Sequence, residues 1–167
     1  MALRRRLLMD REDAKDGGRQ ELELFQAAEL LLEECRTVLP GIQGLFGFQL
    51  VAVFSSHFHD SLSRGEQHLH LLAIALIAVA IAFIMTPAAL HRQGDPCEVT
   101  RRFVRVSTKL LLASMIPLTL GLSIDFYLVA RVTADSGVAS LFAAVLFAVF
   151  VGLWFVAPRL WQRARSG

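Results

Sequence analysis

Leu69–Leu90 reads LHLLAIALIAVAIAFIMTPAAL, twenty-two residues without one Asp, Glu, Lys or Arg. A helix needs roughly 20 apolar residues to cross ~30 Å of hydrocarbon, and this stretch supplies them. A soluble domain would interrupt such a run with charges at helical or strand period. Three further stretches repeat the pattern at residues 38–54, 110–130 and 138–157, the first being the shortest. Asp125 is the one full charge inside any of them, because Lys109 and Arg131 fall at edges. Backbone amides in lipid must be satisfied within their own segment, so each stretch is expected to be a helix. The 167-residue chain is 54% hydrophobic with a mean hydropathy of +0.51. The fold expected is all-α, an integral membrane four-helix bundle preceded by an N-terminal cytoplasmic amphipathic helix.

The charges between these stretches orient them. Seven Lys and Arg precede the first, from Arg4 to Arg36, and Arg92, Arg101, Arg102, Arg105 and Lys109 join the second to the third. Arg159, Arg163 and Arg165 follow the last, so fifteen of the seventeen basic residues gather on one side, with Arg64 and Arg131 on the other. The positive-inside rule then predicts both termini in the cytoplasm. Arg4–Arg6 is followed by only three apolar residues before Asp10, so no signal peptide is expected, and no lipidation motif is present. The expected divisions are a cytoplasmic arm and amphipathic helix over 1–37, a bundle over 38–160 and a cytoplasmic tail over 161–167.

Residues 1–19 read as a mobile arm. Between Glu21 and Arg36, Phe25, Ala28, Leu32 and Cys35 recur at three- and four-residue steps that continue to Leu39, which predicts an interfacial helix or an extension of the first span. Its charge is mainly acidic, which favours a protein partner over an anionic lipid surface. Cys35 and Cys97 fall on the cytoplasmic side and are expected as free thiols. Pro40 is expected in the first turn of its span. Gly41, Gly44 and Gly47, and Ser140, Ala144, Ala148 and Gly152 at strict four-residue steps, form small-residue faces for helix contact, within the chain or in a homo-oligomer. Trp154, Trp161 and Tyr127 fall near span ends as interface aromatics do, and Pro117 predicts a kink.

The run Glu34-Cys35-Arg36-Thr37-Val38-Leu39-Pro40-Gly41-Ile42-Gln43-Gly44-Leu45-Phe46-Gly47-Phe48 resembles the opening signature of a family of small bacterial four-helix membrane proteins of unknown function. Pro87-Ala88-Ala89-Leu90-His91-Arg92 with Gly94-Asp95, and Trp154-Phe155-Val156-Ala157-Pro158, resemble its second-span exit and fourth-span ending. The resemblance covers about residues 30–160 and implies the bacterial inner membrane as the location. Many members are automatically labelled sodium:proton antiporters. The chain departs from the pattern in its His-rich first loop and in Ser107-Thr108-Lys109, where Asn-Arg is expected.

Several side chains invite chemistry. Asp125 reads as a proton- or cation-binding carboxylate with Gln49 as its hydrogen-bonding partner, or as a polar clasp near the outer surface helped by Arg131. Gln43 lies six residues from Gln49, about 120° from sharing its face. His57, His59, His68 and His70, with Asp60 and Glu66, crowd the first outer loop, where imidazoles are ligands for a divalent metal, or stay solvated. His91, Arg92 and Asp95 are placed to meet Glu33, Glu34 or Arg36 in a cytoplasmic polar network. Thr86, Ser114 and Thr119 are expected to bond their own helix carbonyls. No nucleophile–base set, H-E-x-x-H or phosphate-cradling loop is present, so no enzyme and no other cofactor is expected. The basic second loop suits lipid headgroups better than nucleic acid. The leading expectation is a small ion- or proton-linked transport or channel subunit acting as a homo-oligomer. The second is a non-transporting scaffold or accessory protein that binds a partner through its N-terminal helix.

Overall fold

Long helices follow from long stretches of good helix formers, and the computed structural model of the chain is built from them; it describes residues 2–55, 60–93 and 100–165. Helix α1 runs from Ala2–Val53, α2 from Arg64–Gln93 and α3 from Arg101–Thr133. Helix α4, Ser136–Val151, passes through a π-helical turn, Gly152–Val156, into α5, Ala157–Arg165. No strand occurs among the described residues. Three helical stretches are long and apolar enough to cross a membrane: Arg64–Gln93, Arg101–Thr133 and Ser136–Arg165.

Helix α1 joins the residues read as an arm, the amphipathic stretch and the first apolar stretch, so the amphipathic stretch continues the first span as an extension of it. It is one rod of 52 residues, with Pro40 in its interior rather than its first turn. Leu, Arg, Glu, Gln and Ala dominate its first half, and their propensity carries the helix through Gly17-Gly18 at a cost of about 1 kcal/mol per glycine. Its apolar end is diluted by the proline, three glycines and two glutamines, which keeps its hydropathy below that of the other three. Helix α3 likewise runs unbroken through Pro117.

The core is written in sevens. Ala28, Cys35, Ile42 and Gln49 are buried at steps of seven along α1, with Leu31 buried beside them. On α2 the series is His70, Ile77 and Ile84, alternating with Ala73, Ala80 and Pro87, and Ile74 is buried beside it. On α3, Ser107, Ser114, Gly121 and Leu128 form the same series. A repeat of 3.5 residues keeps one stripe facing its neighbour when helices pack nearly parallel. Leu31, Cys35, Ile42, Ile77 and Ile84 fill the centre, with Leu111 and Leu118 of α3 packed against them.

Small residues decide how close the rods come. A Cβ added at Gly121 would lie 2.8 Å from Ile77 Cγ1 and 3.2 Å from the Ala73 carbonyl oxygen, so α2 and α3 touch through this glycine. Gly41, Gly44 and Gly47 have nothing within 4 Å of a Cβ, so no close approach occurs there among the described residues. Gly44→Ala is accordingly expected to stabilise the monomer by about 0.5–1 kcal/mol through helix propensity. A thermal melt of the monomer in detergent checks this, and a lowered midpoint would reveal a hidden contact. Helix α4 packs chiefly on α3. Only 6% of its most apolar window is buried, against 28% and 33% for α2 and α3, so its stripe of Ser140, Ala144 and Ala148 faces outward.

The start of α2 is tied down by charge. Glu66 Oε2 accepts from the Ser63 backbone N–H at 2.9 Å and its hydroxyl at 2.8 Å, while Ser63 Oγ accepts from the Glu66 N–H at 3.4 Å. This is a capping box, and it satisfies donors that the first turn leaves open. Glu66 Oε1 also lies 3.2 Å from Arg131 Nε at the end of α3. The Ser63 hydrogen bonds first, and Arg131 last, hold the Glu66 carboxyl below the ordinary glutamate range. A depressed carboxyl contributes stability that is present above its unfolded pKa and lost as pH falls through the folded one. The advantage of wild type over Glu66→Gln in melting temperature is thus expected in full at neutral pH and to vanish on acidification through the carboxylate range. A difference that stays constant with pH would rule out a charge-dependent cap.

Candidate functional site

Gln49 is carried into the core by the seven-residue series of α1, as the next member after Ile42, and is 5% exposed. Asp125 is placed by the neighbouring series on α3, seven residues after Leu118 and fourteen after Leu111. The two meet: Gln49 Nε2 donates to Asp125 Oδ2. The third member comes from α2. His70 is buried, its Nδ1 is 3.3 Å from Asp125 Oδ1, and its Nε2 is 3.1 Å from the Gln49 carbonyl oxygen.

These distances constrain the protons. The Gln49 carbonyl can only accept, so Nε2 carries a hydrogen and donates to it. A neutral imidazole protonated at Nε2 has a bare lone pair at Nδ1, which would face the lone pairs of a carboxylate oxygen. The approach of Nδ1 to Asp125 is favourable when a proton lies between them, held by either partner.

The triad floors a cavity of about 350 Å³ between α1, α2 and α3. Leu45, Phe48, Leu62, Leu128 and Val129 make its walls mostly apolar, and Ser55 and Ser61 add hydroxyls. Gln49 Oε1 is buried and has no hydrogen-bond partner among the described residues. Such an acceptor costs about 1–3 kcal/mol when left unpaired, so the site has use for a donor or cation that the triad does not supply.

The other expected residues fall elsewhere. Arg131, expected beside Asp125, pairs with Glu66 instead. Gln43 is exposed and away from the triad. His68 is exposed while His70 is buried, as two residues apart on a helix must face nearly opposite ways. His57 and His59 lie outside the described residues, and no group of three potential metal ligands occurs among the described ones. Near the other end of α2, Arg36, His91 and Arg92 line one cleft. Glu33 and Glu34 are exposed, and Asp95 and Cys97 lie outside the described residues. Thr86, Ser114 and Thr119 each donate to a carbonyl of their own helix.

The pairing of His70 with Asp125 is what sequence reasoning missed. Its signal was present, because His70, Ile77 and Ile84 are spaced by sevens, but the histidine was grouped with its loop neighbours instead.

Residues 25–158 match a family of unknown function, DUF6328. No curated protein and no solved structure is detectably similar to the chain.

Proposed function

We propose that this chain, which belongs to that family of unknown function, spans the bacterial inner membrane four times and exchanges protons for another cation at Asp125. Its termini lie in the cytoplasm and it works as a homo-oligomer. The observation that carries the reading is the contact of buried His70 with partly buried Asp125 on the lining of a cavity, beside a Gln49 oxygen that has no hydrogen-bond partner among the described residues.

Membrane insertion is supported by the outward faces of the helices. Leu141, Phe142 and Leu153 are all more than half exposed, as are Leu71, Leu112 and Val129. A soluble monomer rarely leaves so continuous an apolar surface in water. The stretch 38–54, which carries Gln49 against α2 and α3, completes the fourth crossing. The outward stripe of α4 and the uncovered glycines of α1 offer faces on which copies can assemble.

The chemistry follows from the shared proton. While it is present, carboxylate and imidazole hold one net neutral arrangement. When it leaves to solution, Asp125 keeps a negative charge in a mostly apolar site, which is costly without a counterion. A cation entering the cavity restores the balance, with Asp125 and the free Gln49 oxygen as its first ligands. Reprotonation expels it. The test is flux in proteoliposomes under imposed proton, sodium and potassium gradients, comparing wild type with Asp125→Asn at equal protein density. Absence of flux above empty liposomes from folded wild type would end this reading.

A second reading keeps one observation of its own. Leu22, Phe25 and Leu30 are 60%, 51% and 67% exposed on the part of α1 that precedes the span. They offer an apolar face to a partner, as a scaffold or accessory protein would.

A further inference from the structure

A second cleft, of about 250 Å³, lies between α1 and α2 toward the end of α2 remote from His70. Three basic side chains line it from two helices: Arg36 from α1, and His91 and Arg92 from α2. Two are permanent cations, and neither has an ion-pair partner among the described residues. The His91 ring lies against Phe103 of α3, with centroids 5.8 Å apart, which fixes its position. The rest of the cleft is apolar, with Leu39, Ile84 and Met85 prominent.

The cleft is graded along the helices. Ile84 and Met85 belong to the apolar stretch Leu69–Leu90, while His91 and Arg92 follow directly after its end. Leu39 continues the apolar side on α1, one turn beyond Arg36. An apolar trough that leads into cations has the polarity of a phospholipid, acyl chain first and phosphate last. Guanidinium groups match phosphate oxygens in a planar, bidentate fork. Basic pockets between spans at the cytoplasmic side are where anionic headgroups are held.

We propose that this cleft binds one anionic phospholipid, its phosphate on Arg36 and Arg92 with a His91 ring N–H donating, and an acyl chain along Leu39, Ile84 and Met85. The site is separate from the Asp125 cavity and does not depend on the transport reading.

The test titrates the purified full chain in detergent with phosphatidylglycerol, with phosphatidylcholine of the same acyl chains, and with inorganic phosphate, followed by native mass spectrometry. Phosphatidylglycerol is expected to bind at least tenfold more tightly than phosphatidylcholine, and phosphate alone is not expected to displace it. The Arg36→Gln/Arg92→Gln variant is expected to bring the two lipids to equal affinity, whereas Arg163→Gln, on α5 outside the cleft, leaves the preference intact. Equal binding of both lipids by wild type overturns the proposal. So does an Arg163→Gln effect as large as that of the double variant, which would mean general surface charge. Displacement of the lipid by phosphate would reassign the cleft to a free anion. Both arginines are exposed, so their replacement leaves the core untouched.

Discussion

Gly121→Leu is expected to prevent α2 and α3 from closing, leaving no monodisperse folded protein in detergent. Even a single Cβ at this position would sit 2.8 Å from Ile77 Cγ1 and 3.2 Å from a backbone oxygen of α2. Ile77 and Ala73 are both 0% exposed, so the side chain has no open space to turn into and the carbonyl cannot yield without moving the helix. Overpacking of this kind costs about 1–3 kcal/mol for a small addition, which is the expectation for Gly121→Ala. The three further carbons of leucine must separate the rods. Where lipid surrounds the helices, close packing is the main force between them, so a gap is not offset by burial elsewhere. The separation also displaces His70 from Asp125, since both sit on the two rods that part. Size-exclusion chromatography and a thermal melt check the effect. A Gly121→Leu protein that elutes and melts like wild type would show that the approach of α2 and α3 is not as described.

The second large effect is on flux. Asp125→Asn is expected to reduce proton-linked flux to the background of empty liposomes, because an amide neither carries the proton nor leaves a charge for a cation to replace. Asp125→Glu keeps the carboxylate and is expected to restore part of it. His70→Gln separates mechanism from architecture. Glutamine can still donate to the Gln49 carbonyl but cannot share a proton with Asp125. Asp125 from α3 and the Gln49 carbonyl from α1 both face His70, with the Glu66–Arg131 pair one turn farther out. His70→Gln is therefore expected to lower proton-linked flux while the protein still elutes as wild type does. Equal flux from Asp125→Asn and wild type would retire Asp125 as the carrier while leaving transport in place. Unchanged flux in His70→Gln would make His70 an anchor of Asp125 and nothing more.

Which residues met in the site was only partly legible in the chain. Gln49 and Asp125 stand out as polar groups inside apolar stretches, and their meeting follows from similar depth on the first and third spans, which run in the same direction. His70 did not stand out, because it lies one residue inside its stretch and beside three other histidines in sequence. Loop composition suggested metal binding, yet helix rotation sends His68 and His70 apart. Arg131 helps Asp125 in one of the two readings of that carboxylate, whereas capping of α2 brings Glu66 within its reach. Of the glycines, the three closely spaced ones on α1 drew notice and the solitary Gly121 did not. Spacing reports which residues share a face but says nothing of what stands opposite.

What the sequence by itself determined is the helical character of the chain and three of the four stretches read as able to cross a membrane. These depend on hydropathy, length and period, which are properties of neighbours along one strand of backbone. Only the tertiary structure decided that His70 completes the Asp125–Gln49 pair, that Glu66 takes Arg131, and that α2 meets α3 through Gly121. It also decided that α1 is one continuous rod, since its charged and apolar halves share a single buried series from Ala28 to Gln49. Those outcomes depend on the register and rotation of one rod against another. A shift of one residue along a helix turns a side chain by about 100°, and a linear pattern of apolar residues is too coarse to choose between such rotations.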